Sequence, residues 1–96
     1  MKTYTFYVYI MASGNNHVLY IGVTNNLKRR AEEHKQHLTR GFSADYNVDK
    51  LVYFESFSYI DKAIKREKRL KKWNREWKEN LIKTKNPDWH DLAPTL

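Results

Sequence analysis

The sequence predicts one α/β domain over residues 1–96, a three-stranded β-sheet with flanking helices in a sandwich. Three observations carry that expectation. Two β-branched and aromatic runs, Tyr7-Val8-Tyr9-Ile10 and Leu19-Tyr20-Ile21-Gly22, flank the turn residues Ser13-Gly14-Asn15-Asn16, the sequence form of a β-hairpin. A third run of the same kind, Leu51 to Phe57, follows a segment with helical spacing. Beyond it lie two more helical segments, and 96 residues suit one domain with a limited core and no second domain.

Residues 4 to 11 are apolar or aromatic on both alternating faces, as suits a central strand covered on both sides. Tyr7, Tyr9 and Met11 share one face, and Phe6, Val8 and Ile10 the other. In the second strand Tyr20, Gly22 and Thr24 alternate with Leu19, Ile21 and Val23, so its phenol also lies opposite the aliphatic set. Gly22 would admit another backbone or a phosphate at close range. Asn25 or Asn26 can cap a first helix, Leu27 to about Thr39, closed by Gly41, with Phe42 to Asp49 as a loop. Because that connection passes through a helix, the third strand is placed beside the first, in a mixed sheet with the first strand in the middle.

Ser58-x-x-Asp61 has the form of a capping box opening a basic helix from Tyr59 to about Lys72, with Ile60, Ala63, Ile64 and Leu70 as its apolar stripe. Asn74 can cap a last helix in which Trp73, Trp77 and Leu81 stack against the body. Asn86-Pro87-Asp88 ends it, and a tail with Trp89 and Leu92 packs back over the surface.

Composition narrows the classes of function. With 41% hydrophobic and 15% aromatic residues the chain is globular, and with no cysteine it has no disulfide framework, thiolate metal site or thiol nucleophile. No apolar run approaches the roughly 20 residues of a membrane span, and the N-terminus lacks a signal peptide, so the expectation is a cytoplasmic protein with no membrane partner. The net charge is +7, and it is unevenly placed: Lys62 to Lys85 hold eleven Lys/Arg against three Asp/Glu. Such a block fits a polyanionic partner, nucleic acid first, although a solvated helix face explains it equally well. Only three glycines exist, far apart, so neither a phosphate-cradling loop nor a dinucleotide fingerprint is present. His34 and His37 lack the spacing of a zinc site.

The hairpin puts Tyr9 and Tyr20 on neighbouring strands, and Arg30 and His34 at i and i+4 point from one helix face. Two phenols, a guanidinium and an imidazole can therefore converge. Either tyrosine alone would pass as a strand residue with its hydroxyl at the core edge. Glu67 lies among Ala63, Ile64 and Leu70 on its helix, and a carboxylate there needs a partner, either a structural cation or a divalent metal.

This layout resembles the GIY-YIG nuclease family. Tyr20-Ile21-Gly22 matches the second family motif letter for letter, and Tyr7-Val8-Tyr9 stands for the first, with Tyr7 where the family name has glycine. Arg30, His34 and Glu67 fall at the family's arginine, its following His/Tyr position and its metal-binding glutamate. The resemblance implies a stand-alone DNA endonuclease, dependent on Mg²⁺ or Mn²⁺ and selective for structure more than sequence, with DNA repair among its expected roles. In it Glu67 holds the metal, Arg30 clamps the scissile phosphate, Tyr9 acts as general base or orients the water, and Tyr20 and His34 assist. For the family's downstream asparagine, Asn74 and Asn80 both stand open. The competing readings are a non-catalytic nucleic-acid-binding module of the same fold, and a basic protein docking on an anionic membrane or acidic partner. A monomer is the expected state.

Overall fold

The computed structural model describes residues 4–36 and 47–96. Strands β1 (Phe6–Ser13), β2 (Leu19–Thr24) and β3 (Val48–Phe57) form one sheet in the order β2-β1-β3, with helices α1 (Leu27–Lys35), α2 (Ile60–Lys72) and α3 (Arg75–Lys85), and a short 3₁₀ turn at Ala93–Thr95. The first strand is central, as expected. The sheet is not mixed, however: both pairings with β1 are antiparallel. β2 and β3 run parallel to one another on opposite sides of β1, so the helical crossover joins strands that never hydrogen-bond.

The tight connection after β1 is held by Ser13, whose Oγ donates to Asn15 Oδ1 and accepts from Val18 N. Asn16 takes φ 63° there, a conformation asparagine tolerates. Alternation along the strands sends Val8, Ile10, Ala12 and Ile21 to one face, where Ala63, Leu70, Ile82 and Trp89 cover them. The other face carries Tyr9, Met11 and Leu51 beneath Leu27 and Leu92. Each face of β1 is thus a separate core, and the tyrosines fall on the thinner one, covered by a single helix and the tail.

Several boundaries differ from expectation. β3 begins at Val48, inside the segment expected as loop, because Val48 and Leu51 are fully buried and pair with β1 across two register shifts. Ser58 does not form a capping box: the N-cap is Tyr59, with no side-chain bond. The stripe of α2 is narrower than expected, since Ala63 and Leu70 are buried while Ile60 and Ile64 are exposed. Trp77 does not stack against the body; it is 55% exposed and meets Trp73 edge-on at 5.8 Å. The end of the first helix beyond Gln36, Gly41 and His37 lie outside the described residues.

What fixes the rotation of α2 is Arg66. Its Nε and Nη2 each donate to Glu55 on β3 at 2.9 Å, its guanidinium lies over Trp73, and Tyr53 Oη donates to the same carboxylate. One residue on, about 100° around the helix, Glu67 turns to a different side. The tail is tied down by Asn86, which is buried, donates to Val52 O and His90 O, and accepts from His90 N. Asp91 completes the closure by accepting from Leu51 N, Ala93 N and Lys35. Among the described residues no helix is long and apolar enough to cross a membrane.

Candidate active site

Tyr9 stands at the middle of the central strand with Gly22 directly across from it on β2. Its ring crosses that glycine. A Cβ built on Gly22 would lie 2.5 Å from the Tyr9 hydroxyl, so the glycine is required by the phenol of its own chain rather than by an incoming backbone or phosphate.

His34 comes from α1. Asn26, rather than Asn25, caps that helix by accepting from Arg29 N at 3.1 Å. Two turns later His34 is buried, and its Nε2 lies 3.1 Å from the Tyr9 hydroxyl. Tyr20, from the edge strand, closes the group: its ring centroid is 5.2 Å from that of His34 and 6.3 Å from that of Tyr9. The three rings form one cluster built from two strands and a helix.

Burial dominates their protonation. It pushes the Tyr9 phenol well above the usual range; Tyr20, Glu67 and Glu33 add to the rise, and the Arg30 cation opposes it. His34 is pushed down to about 4, by burial first and by Arg30 second, with Glu33 opposing. The pair is therefore a neutral phenol facing a neutral imidazole. In the tautomer with the proton on Nδ1, Tyr9 donates to Nε2. Nδ1 itself is buried and has no hydrogen-bond partner among the described residues.

Arg30, one turn before His34, lies with its Nε 3.3 Å from Glu33 Oε1, yet that nitrogen is buried without a properly directed hydrogen bond. Its donors remain available to an anion. Glu67 approaches from α2, whose buried residues pack on the opposite face of the sheet. Its carboxylate is half-buried and its charge reaches the Tyr9 phenol, but its contact is Lys71 Nζ at 3.3 Å, one helical turn away. The structure thus brings Tyr9, Tyr20 and His34 into contact, sets Arg30 beside them, and leaves Glu67 coupled through its field rather than by a hydrogen bond.

Of the two open asparagines, Asn74 is spent as the cap of α3, accepting from Trp77 N at 2.9 Å, and Asn80 is exposed beside Trp73 and Trp77. Neither lines the tyrosine cluster. Glu33 and Lys71 were not singled out from the sequence, although their i+3 and i+4 spacings from Arg30 and Glu67 are the signal that finds them.

Residues that hold a divalent cation by themselves would show as a cluster; among the described residues no group of three His, Cys, Asp or Glu side chains does. A single half-buried carboxylate fits a different case, an ion that keeps several waters and takes further oxygens from a phosphate.

The description of the GIY-YIG catalytic domain matches this chain over residues 5–80. A UPF0213 protein of Clostridium perfringens is 38% identical over 80 residues, covering 83% of this chain and 85% of that one. A UPF0213 protein of Bacillus licheniformis is 31% identical over 94 residues, covering 98% and 96%. The solution NMR structure of a UPF0213 protein from Bacillus halodurans superposes with a TM-score of 0.58 at 26% identity, covering 91% of this chain and 92% of that chain.

Proposed function

The chain belongs to the GIY-YIG family, and on that premise we propose that it is a divalent-metal-dependent endonuclease that hydrolyses phosphodiester bonds in DNA. The observation that carries this reading is the buried hydrogen bond between Tyr9 and His34, with Arg30 beside it and Glu67 acting on it. The bond satisfies a buried phenol and at the same time sets a neutral imidazole where it can accept the phenol's proton.

Hydrolysis needs an acceptor for the proton of the attacking water, donors for the charge that develops on phosphorus oxygens, and stabilisation of the leaving oxygen. Tyr9 holds the water. As the water attacks, the phenol oxygen takes its proton while the phenol proton passes to His34 Nε2 across the existing 3.1 Å contact. The relay avoids a full phenolate on Tyr9, which its raised pKa opposes, and makes His34, held down at about 4, a transient acceptor that gives the proton up again once the phosphorus–oxygen bond is cut. Arg30 supplies guanidinium donors to the phosphate, with Glu33 beside its buried Nε. Tyr20, at the sheet edge, offers a hydroxyl to a phosphate oxygen. A Mg²⁺ or Mn²⁺ ion held by Glu67 would supply charge for the leaving oxygen when bound.

The reading extends to recognition of nucleic-acid structure more than sequence, because the contacts assigned here are to phosphates, which carry no base information. The reading places the protein in the cytoplasm, working as a monomer. The test is incubation of purified protein with labelled single-stranded, duplex and flap DNA, each with Mg²⁺, Mn²⁺ or EDTA. Cleavage that needs the metal and prefers one structure supports the assignment; binding without cleavage on every substrate leaves a non-catalytic nucleic-acid-binding module.

A further inference from the structure

We infer that the cavity at the open edge of β2, between Tyr20 and the lysines of α2 and α3, is a second phosphate site. It holds the phosphodiester adjacent to the one being cut. The cavity has a volume of about 210 Å³ and is lined by Leu19, Tyr20, Ile21, Lys71 and Lys78. The inference rests on the nucleic-acid reading above and adds to it the path the strand takes.

Tyr20 is the shared wall. Its ring packs against His34 on one face of the sheet, and as part of the edge strand the residue also lines this cavity, so a strand with one phosphate at Arg30 reaches the cavity by passing the sheet edge at Tyr20. β2 is an edge strand with no neighbour on its outer side among the described residues. Nothing else of the described chain pairs there.

Lys78 is half-buried, and its ammonium makes no hydrogen bond or ion pair among the described residues. The nearest acidic neighbour along the helix, Glu79, is engaged by Arg75 at 3.4 Å. Arg75 also donates to the hairpin carbonyls of His17, at 2.6 Å, and Asn16, which pins the start of α3 against the β1–β2 hairpin. The cation is therefore held in a fixed wall beside the site and left uncompensated. Lys71, on the facing helix, shares itself with Glu67. Two ammonium groups over the short apolar floor of Leu19 and Ile21 suit a phosphodiester, whose charge is met while its sugar covers the aliphatic side chains.

A lysine that only covers Leu19 and Ile21 with its stem would be replaced without loss by methionine. Lys78→Met therefore separates packing from phosphate binding. The experiment measures binding of wild type and Lys78→Met, in EDTA, to a flap duplex carrying single methylphosphonate replacements at successive positions. Wild type should lose about tenfold at one position next to the cut site, as for one charge-assisted contact. Lys78→Met should bind the unmodified duplex about tenfold more weakly, be indifferent to that replacement, and show a salt slope shallower by about 0.7 to 0.9. Equal binding by Lys78→Met, or unchanged sensitivity at every position, would overturn the site. Because the binding arms need no turnover, a protein that shows this coupling yet never cleaves keeps the second phosphate site and refutes the nuclease reading.

Discussion

The phenol of Tyr9 lies across Gly22, close enough that a single added methyl would sit 2.5 Å from its oxygen. Tyr9 cannot swing aside easily, because it is 2% exposed and bonded to His34. Gly22→Ala should therefore destabilise the domain by about 1–3 kcal/mol, the usual cost of overpacking. For a chain of this size each kcal/mol lowers the melting temperature by roughly 4–8 °C. Calorimetry of the variant checks this, and an unchanged melting temperature would mean that the ring does not cross the glycine.

Burial of a neutral His34 makes stability depend on pH. Its folded pKa of about 4 lies below the ordinary 6.5, so the unfolded chain binds more protons between those values. Its stabilising effect is complete above pH 6.5, falls as pH drops, and is gone near pH 4, a change on the order of 3 kcal/mol. Asp91 and Glu55, whose carboxyls are held below their usual range by Lys35 and Arg66 against the effect of burial, lose their own contributions at lower pH. The window from pH 5 to 6.5 belongs to the histidine. Denaturant melts across it should slope for wild type and flatten for His34→Gln; parallel slopes would place His34 in solvent.

Among the described residues Glu67 meets only Lys71, and i,i+4 pairs near the surface contribute about 0.3–0.5 kcal/mol. Glu67→Gln should melt within about 3 °C of wild type and lose metal-dependent cleavage. Wild-type cleavage in Mg²⁺ would remove Glu67 from metal binding.

The basic block is exposed along α2 at Lys65, Lys68 and Lys72, none of which is ion-paired among the described residues. Replacing all three by Gln should flatten the dependence of nucleic-acid affinity on salt by about 0.7 to 0.9 log units for each phosphate no longer neutralised. An unchanged slope would return the block to simple solvation.

Much of the site was legible because alternation along a strand is rigid. Tyr9, Tyr20 and their opposed aliphatics fall on the faces that period-two patterning assigns, and Asn26, Asn74 and Asn86 bound helices as their chemistry suggests. What pattern does not carry is which neighbour fills a space. Gly22 read as room for a ligand and is filled by Tyr9, and the strand order was legible while the direction of β3 was not. The helix stripe of α2 misled for a related reason. Periodicity counted Ile60 and Ile64 as core, whereas α2 packs on the sheet through Ala63 and Leu70 and both isoleucines stay exposed. Lys78 was counted in the charge of its block and given no place, since its proximity to Tyr20 depends on how α3 docks against the hairpin through Arg75.

The Tyr9 hydroxyl is the point on which the nuclease assignment turns. Tyr9→Phe keeps the ring that packs over Gly22 and removes only the bond to His34, a loss of about 1 kcal/mol in stability. The decisive measurement pairs metal-free binding at low salt with single-turnover cleavage in Mn²⁺, on the same preparations of wild type and Tyr9→Phe. The predicted result is equal binding with cleavage reduced by roughly 10²–10⁴, the contribution of a positioned acid or base. Cleavage by Tyr9→Phe at the wild-type rate would contradict it.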